Sequence, residues 1–511
     1  MAGAARIVGW ITLLSFILLS EKVGSESFGI QNICSNLPFP QQCQFFLGNT
    51  NTPTPSINIP FSPINFNSLG ALLQTTLTQA LQGLSYTTAL GSLVRSQREQ
   101  QALNDCIELN QLTVNLLKRI TTGSPSAVDK QTWLSAALTN LASCSFGFVD
   151  LGVTSNIFNL LQNNATKLIS NCLALNKSPL FPSAQADGFP EWVRPGDRKL
   201  LQSPSVTPNV VVAADGSGAF KTINQAVAAI SGTGRFVIYI KAGTYNENVE
   251  IKNNNVMLIG DGIGNTIITG NRSVIGGFTT FRSATVAVTG DRFIAQGITF
   301  RNTAGPQNQQ AVALRAGSDL SVFYKCGFEG YQDTLYAYSL RQFYKNCDIY
   351  GTVDFIFGNA AMVVQSCNIY ALNPPNLVNI VTAQGRTDPN QNTGIMIYDC
   401  NILGSGVSAA AKTYLGRPWK VYSRTVVAKS YLSSVIDPAG WYPWNGTLGL
   451  DTLYYGEYMN MGPGSSTAAR VTWKGYHVMT NYTEVFQYSV DNFIQGSSWL
   501  PATGVPYISS I

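Results

Sequence analysis

Histidine is almost absent from this sequence, which has a single one, His477, among its 511 residues. A Ser-His-Asp hydrolase or a histidine-rich metal centre would have to use that side chain, and no Gly-x-Ser-x-Gly nucleophile elbow occurs. We therefore interpret His477 as a structural residue. If the chain is an enzyme, we expect carboxylates to act as its general acid and general base.

Charged residues are also scarce, at 12% of the chain, whereas hydrophobic residues make up 45%. This balance excludes a disordered chain. The net charge of +5 is not gathered into basic runs, which argues against a nucleic-acid partner. The length predicts two or three domains.

No apolar run is long enough to span a bilayer, which takes about 20 residues. The run over 7–19 follows Arg6 and gives way to small and polar residues. Residues 1–25 are therefore predicted to be a secretory signal peptide, cleaved near 24–27, with an uncleaved signal anchor as the alternative. The protein is expected to be secreted, without a stable membrane span.

Nine cysteines fit a secreted chain with disulfides and one remaining thiol. Cys34 and Cys43 flank a short segment that contains proline, and Cys106 and Cys144 lie on the apolar faces of neighbouring predicted helices. Each pair is a candidate disulfide, which leaves Cys172 as a buried structural thiol. Candidate sequons for N-glycosylation include those that begin at Asn164, Asn271, Asn445 and Asn481.

The chain changes character near residue 180. Before it, apolar residues recur at helical spacing in four stripes, starting at Leu69, Leu103, Leu134 and Ile157. Four such helices predict an antiparallel four-helix bundle over 28–176.

Residues 177–208 contain six prolines and are predicted to form an extended linker. The linker carries Arg198-Lys199-Leu200-Leu201, a candidate processing site. A pair of solvated charges is the alternative interpretation.

After residue 208 the helical period gives way to short β-rich runs, such as 236–240 and 424–427, with one helix predicted near 222–230. A Cys-x-(Ile/Phe) motif recurs at intervals of 21, 20 and 33 residues, which indicates a solenoid, and we expect a parallel β-helix. Coils stack about 4.8 Å apart, so two bridges between neighbouring coils are predicted, Cys326–Cys347 and Cys367–Cys400.

Two aspartates stand one repeat apart. Asp333 and Asp354 are separated by 21 residues, which would place both carboxylates on one face of adjacent coils. Two nearby carboxylates in a partly apolar groove can take different pKa values and divide acid and nucleophile roles. Asp354 lies in an apolar run, where an unpaired charge is costly. A pair of turn or ladder aspartates is the structural alternative.

Two glutamines and an arginine are candidate partners for these carboxylates. Gln310 precedes Gln332 by 22 residues, so the two amides are expected on one face, where they could stabilise an oxyanion. Structural glutamine ladders are the alternative. Arg417 could pair with an active-site carboxylate and Trp419 could stack on a sugar ring, unless the two only form a surface cation–π contact.

Three of these segments together closely resemble the plant pectin methylesterases (pectinesterases). They are Gly-Tyr-Gln-Asp-Thr-Leu-Tyr at 330–336, Gly-Thr-Val-Asp-Phe-Ile-Phe-Gly-Asn-Ala at 351–360 and Leu-Gly-Arg-Pro-Trp at 415–419. The resemblance covers 209–511. Residues 28–176 are similar, more loosely, to the pectin methylesterase inhibitor domain, so the whole resembles a precursor with a pro-region.

The resemblance implies a right-handed parallel β-helix that removes C6 methyl esters from homogalacturonan in the cell wall. It implies that Asp354 is the nucleophile, Asp333 the proton donor and later the base, and Gln332 and Gln310 the oxyanion donors. It also implies substrate contacts by Thr280, Gln310, Arg417 and Trp419. No metal or cofactor is expected. Expected partners are methylated pectin, a processing protease and inhibitor proteins resembling the pro-region.

Two rival functions fit the sequence less well. A pectate lyase would carry a calcium-binding acidic cluster and a polygalacturonase a different aspartate set with a nearby histidine, and neither pattern is visible. A non-catalytic wall or inhibitor protein acting through 28–176 is disfavoured by the intact Asp, Gln and Arg set.

Overall fold

The computed structural model describes residues 33–48, 68–153, 164–176 and 207–511. The predicted signal peptide, linker residues 177–206 with the processing site, and the start of the fourth predicted helix with Ile157 fall outside these ranges. Within them, no helix is both long and apolar enough to cross a membrane. The helices are α1 (Pro40–Gly48), α2 (Ser68–Ala89), α3 (Gln97–Thr122), α4 (Ala127–Cys144), α5 (Phe146–Asp150), α6 (Asn164–Asn176), α7 (Ile223–Ala228), α8 (Tyr482–Phe486) and α9 (Val490–Phe493).

Helices α2, α3, α4 and α6 form the predicted four-helix bundle, in which α3 packs on α2 and α4, and α6 packs on α2 and α4. Ser96 and Ser126 cap the N-termini of α3 and α4 by accepting hydrogen bonds from backbone N–H groups. In the first apolar stripe Leu72, Leu73 and Ala80 are buried. Leu81, which the spacing also places in the stripe, is 38% exposed.

Two disulfides are present in the helical region, Cys34–Cys43 and Cys106–Cys144, as the sequence predicts. The second joins α3 to α4. Cys172 is a buried thiol within the bundle core, and burial raises its pKa to about 12. Such a thiol stays protonated and unreactive.

Residues 210–478 form a parallel β-helix, in which every ladder between named strands is parallel. The strands are β1 (Val210–Val212), β2 (Phe236–Ile240), β3 (Gly243–Asn246), β4 (Val249–Ile251), β5 (Val256–Gly260), β6 (Thr266–Gly270), β7 (Val286–Val288), β8 (Ile294–Gln296), β9 (Thr299–Asn302), β10 (Leu314–Ala316), β11 (Ser321–Tyr324), β12 (Gly327–Glu329), β13 (Leu335–Ala337), β14 (Arg341–Lys345), β15 (Asp348–Gly351), β16 (Ile356–Gly358), β17 (Ala361–Gln365), β18 (Asn368–Ala371), β19 (Val378–Gln384), β20 (Gly394–Tyr398), β21 (Asn401–Gly404), β22 (Lys412–Gly416), β23 (Arg424–Ala428), β24 (Tyr431–Leu432), β25 (Tyr454–Tyr458) and β26 (Tyr476–Val478).

Successive coils contribute strands to three sheets, of 11, eight and seven strands. The first sheet has the order β1-β2-β5-β8-β11-β14-β17-β20-β23-β25-β26, and the second has the order β24-β21-β18-β15-β12-β9-β6-β3. The third, which we call the cleft sheet, has the order β22-β19-β16-β13-β10-β7-β4. Inward side chains stack coil upon coil, as in the Phe300–Phe328 and Phe323–Tyr344 ring pairs. The helix predicted near 222–230 is α7, which begins with a capping box at Thr222.

The two disulfides predicted in the β-helix are wrong. Cys326, Cys347, Cys367 and Cys400 stack on consecutive coils as the repeat predicts, but all four are buried thiols. Each Sγ instead contacts a backbone carbonyl at 3.3–3.5 Å, as Cys347 does with Phe323. In-register parallel neighbours hold their Cβ atoms about one strand spacing apart, whereas a disulfide needs about 3.8 Å.

The bundle lies on the outer face of the cleft sheet. Outward side chains of that sheet, Ala287, Tyr336, Phe357 and Ala383, share one buried cluster with α3 and with the segment from Cys144 to Leu151. The four sequon asparagines are all exposed, and their glycosylation stays a prediction.

Candidate active site

Asp333 and Asp354 are register partners at the edge of the cleft sheet. Each stands two residues before a strand, β13 or β16, and the pairing of Leu335 with Ile356 sets the two aspartates opposite each other. Both adopt the left-handed backbone, with φ of 63° and 53°. That conformation costs most residues about 1–2 kcal/mol but suits Asp better, and such positions cluster at functional sites.

The guanidinium of Arg417 forms a bidentate ion pair with the carboxylate of Asp354. Nε donates to Oδ1 at 2.8 Å and Nη2 donates to Oδ2 at 2.5 Å. Arg417 follows the last residue of β22, two coils beyond Asp354, and its Cζ lies 4.2 Å from the ring centroid of Trp444. A bidentate pair fixes the orientation of a carboxylate and favours its ionised form.

The environments of the two aspartates separate their pKa values. Burial raises the pKa of Asp354, and Arg417 opposes that rise by hydrogen bonding and charge. Burial holds the pKa of Asp333 well above its usual range, and the negative charges of Asp354 and Asp150 raise it further. Asp354 is therefore the member of the pair that ionises more readily, and Asp333 is the member that retains its proton more strongly.

A cavity of about 510 Å³ opens above the two aspartates. It is lined by every site residue that the sequence predicts, namely Thr280, Gln310, Gln332, Asp333, Asp354, Arg417 and Trp419. The 22-residue interval misplaces Gln310 by one position, because its neighbour Ala311 pairs with Gln332. Its side chain still reaches the cavity, and its Oε1 makes no hydrogen bond among the described residues.

Aromatic rings form one wall of the cavity. Tyr336 and Phe357 stack with centroids 4.1 Å apart, and the ring of Trp419 meets both edge-on. Tyr336 and Phe357 are 21 residues apart, so the spacing that reveals the aspartates could have revealed them. Trp444 carries no such signal, because it lies in a loop between β24 and β25.

The helical region supplies the opposite wall. Phe146, Gly147 and Asp150 of α5 line the cavity together with the aspartates. Phe146 packs on Trp419 at 5.3 Å, and Asp150 Oδ2 accepts a hydrogen bond from the backbone N–H of Thr280 at 2.9 Å. Two residues predicted to bind substrate are thus occupied by α5.

Further contacts join the helical region to the β-helix away from the cavity. Arg341 donates to Asp129 at 2.8 Å, and Tyr338 donates to Asn140 at 2.9 Å. These partners are buried or half-buried. The bundle is therefore seated by specific polar contacts as well as by the apolar cluster.

His477 does not line the cavity. It lies in β26 of the first sheet and stacks on Tyr454 at 4.5 Å. An ionised carboxylate held by an arginine, a protonated carboxyl one coil away and two neutral amides remain as the reactive groups. This set suits attack on an ester carbonyl followed by protonation of the alcohol that leaves.

Comparisons with known proteins agree with this chemistry. The pectinesterase family model matches residues 209–497, and the plant invertase/pectin methylesterase inhibitor model matches 29–175. Pectinesterase 2 of Citrus sinensis is 57% identical over 99% of this chain and 100% of its own length. Probable pectinesterase/pectinesterase inhibitor 17 of Arabidopsis thaliana is 51% identical over the whole of both chains.

Solved structures match the β-helix. Pectin methylesterase from carrot is 55% identical with a TM-score of 0.59, and the match covers 60% of this chain and 100% of the carrot chain. A β-helix of this kind therefore folds as a separate chain. The Aspergillus niger enzyme is 33% identical with a TM-score of 0.51, covering 58% of this chain and 97% of its own.

Fold, site and matches together define a carboxylic ester hydrolase built on a parallel β-helix. More particularly, the chain belongs to the pectinesterase family and carries an inhibitor-like helical region ahead of its esterase region.

Proposed function

We propose that the esterase region hydrolyses the C6 methyl esters of homogalacturonan by a covalent route through Asp354. The observation that carries this proposal is the bidentate Arg417–Asp354 pair beside Asp333, whose pKa is held well above its usual range by burial. The two carboxyls thus hold the protonation states that a nucleophile and a proton donor require.

The reaction runs in two steps. The Asp354 carboxylate attacks the C6 carbonyl carbon, and the amides of Gln310 and Gln332 donate hydrogen bonds to the oxyanion. As the carbon–oxygen bond to the methoxy group breaks, Asp333 gives it a proton, and methanol leaves an acyl-enzyme anhydride. Asp333, now ionised, takes a proton from water, whose oxygen attacks the anhydride and restores Asp354.

The test compares methanol release with chain scission on methylated homogalacturonan. We expect methanol and new carboxylates without new reducing ends. Scission without methanol would overturn the proposal in favour of a lyase or a polygalacturonase.

We also propose that the helical region keeps the precursor inactive. Its α5 fills the substrate side of the cavity and occupies Trp419 and the N–H of Thr280. A tethered domain acts at high effective concentration, so it competes strongly with a polymer from outside. Cleavage after Arg198-Lys199-Leu200-Leu201, giving a mature enzyme that starts near 202, would remove this block.

A glycine at the contact offers a sharp test. A Cβ on Gly147 would lie 3.2 Å from Thr279 Cγ2, whereas a Cβ on Gly91 would meet nothing within 4 Å. We expect full-length Gly147→Val to release methanol faster than wild type and Gly91→Val to match wild type. Equal, full activity of the uncut wild type and of the separated esterase region would refute inhibition.

Processing and secretion are tested in the same host. With Arg198 and Lys199 both changed to Ala, we expect full-length, less active or retained protein, and N-terminal sequencing of wild type should start near 202. Secretion of the double variant at mature size with full activity would place the cleavage elsewhere. Secretion to the cell wall and glycosylation at the four exposed sequons belong to this proposal.

A further inference from the structure

A cluster of cations lies on the cleft sheet beyond the catalytic cavity. Arg315 projects outward from the middle of β10, and its register partner one coil on is Tyr336 of the cavity wall. Arg282 lies beside it, since the two guanidinium carbons stand 3.4 and 5.3 Å from the centroid of the same ring, Phe281. Lys252 and Glu250 complete the cluster, with their charged groups 3.1 Å apart.

Arg315 forms no direct ion pair with any carboxylate that the structure describes, although Glu108 and Glu250 lie near enough to stabilise its charge. Its side chain is 1% exposed, and its Nε and Nη1 make no hydrogen bond with any residue that the structure describes. Burying guanidinium N–H groups without hydrogen bonds is costly, so the two unsatisfied donors of Arg315 indicate a group that binds there at another stage.

The helical region places carboxylates at this cluster. Arg282 donates from Nε to Asp105 at 2.6 Å and from Nη2 to Glu108 at 2.5 Å, both on α3. Its Nη1 reaches Glu250 of its own region at 3.2 Å. Without α3, the cluster would hold three cations against one carboxylate.

Helix α3 also covers the space beside the cluster of cations. Its Asp105 and Leu109 line the catalytic cavity, and its Glu108 lines a second cavity of about 820 Å³ together with Lys252 and Arg282. Removal of α3 would therefore leave one groove along the cleft sheet. A polymer seated at Asp354 would extend past Arg315, because neighbouring coils are only about 4.8 Å apart.

We propose that Arg282 and Arg315 form a subsite for a free carboxylate of the polymer, and that Asp105 and Glu108 block it in the precursor by pairing with Arg282. This inference rests on the proposed function, because de-esterification itself creates such carboxylates along the chain. The subsite would make a partly de-esterified polymer a better substrate than a fully esterified one. Arginine suits this role, since its planar fork matches a carboxylate.

The first experiment measures binding without catalysis. The separated esterase region, 202–511, is titrated calorimetrically with fully de-esterified oligogalacturonate. We expect Arg282→Gln and Arg315→Gln each to weaken binding about tenfold, the loss of a charge-assisted hydrogen bond, and Arg315→Lys to weaken it less. Arg301→Gln is the matched control, because Arg301 pairs with Glu329 on the second sheet, outside the cleft. Unchanged binding in both cleft variants would overturn the proposal.

The second experiment uses turnover. We expect both cleft variants to lose about tenfold in kcat/KM on half-de-esterified oligomers and to stay near wild type on fully esterified ones. An equal loss on both substrates would overturn the subsite and indicate a structural role, which a lowered thermal midpoint would confirm. If wild type released no methanol, the proposed function would fail, whereas the binding titration would still decide the subsite.

Discussion

Arg417 and Asp354, 63 residues apart in the chain, form a bidentate ion pair across two coils of the β-helix. The pair fixes the orientation of the Asp354 carboxylate, and Arg417 opposes the rise in its pKa that burial causes. The proposed mechanism depends on this carboxylate as its nucleophile, which gives the most direct prediction.

Asp354→Asn should fold normally and lose methyl-ester hydrolysis by orders of magnitude, because Asn has nearly the same shape but is a poor nucleophile. Methanol release by the separated esterase region is the measurement. Asp348→Asn is the control, since Asp348 lies in β15 of the second sheet and does not line the cavity. Near-normal turnover by a folded Asp354→Asn variant would sink the mechanism.

The pH profile should respond to Arg417. Because Arg417 lowers the pKa of Asp354 against the effect of burial, Arg417→Gln should raise that pKa. The nucleophile must be ionised, so the acidic limb of kcat/KM should move to higher pH, and Arg417→Lys should move it less. An acidic limb that stays in place in Arg417→Gln would show that another group controls it.

The two cavity amides should act on the chemical step. Gln310→Ala and Gln332→Ala should each lower kcat about 10²–10³-fold, the usual effect of removing one oxyanion donor. Steady-state kinetics on esterified oligomers give kcat and KM separately. If only KM changed, these residues would bind the ground state instead.

Docking of the helical region should weaken as pH rises. Burial raises the pKa of Asp150 when it is docked, although its hydrogen bonds to Thr280 oppose the shift. A carboxyl whose pKa is raised on docking takes up a proton, so docking is strongest below the ordinary aspartate pKa and is lost as pH rises through the raised value. Dissociation constants of the cleaved halves across pH measure this. Asp150→Asn should flatten the dependence, because Asn still accepts from Thr280, and an unchanged slope would exclude Asp150.

Alkylation should report the thiols of the β-helix. In denaturant without reductant, we expect labelling of Cys172, Cys326, Cys347, Cys367 and Cys400, and protection of the four bonded cysteines. Mass spectrometry of the peptides is the readout. Detection of a disulfide-linked peptide that joins Cys326 to Cys347 would show that the bridge suggested by the spacing does form.

The repeat spacing predicts the site well where a coil has constant length. Asp333 and Asp354 are 21 residues apart, the same offset that pairs β13 with β16, so sequence spacing becomes spatial adjacency. The same rule misplaces Gln310 by one residue, and it places the four stacked cysteines correctly while wrongly suggesting bonds between them. Stacking follows from spacing, but bond formation depends on Cβ separation, which the backbone sets.

Contacts between the helical region and the β-helix could not be predicted from the helical spacing of the one or from the coil repeat of the other. Asp150 and Phe146 occupy a helix of only five residues, and nothing in its sequence shows that Thr280 and Trp419 lie opposite. Such contacts depend on the docked orientation of the bundle. Similarly, Arg315 reads as an ordinary strand residue until its burial and its missing partners are known.

The site depends on how the chain winds into coils, because Asp333 and Asp354 are aligned by the register of two neighbouring coils. One full turn of backbone separates them, so their alignment depends on the number of residues in that turn and on the pairing of the strands within it. Removing one residue between 335 and 353 would shift Asp354 along the ladder and turn its side chain toward the wrong face. Lengthening the chain by a whole coil after β26 would leave the pair untouched. The length of the groove can thus change without any change in the pair of aspartates at its centre.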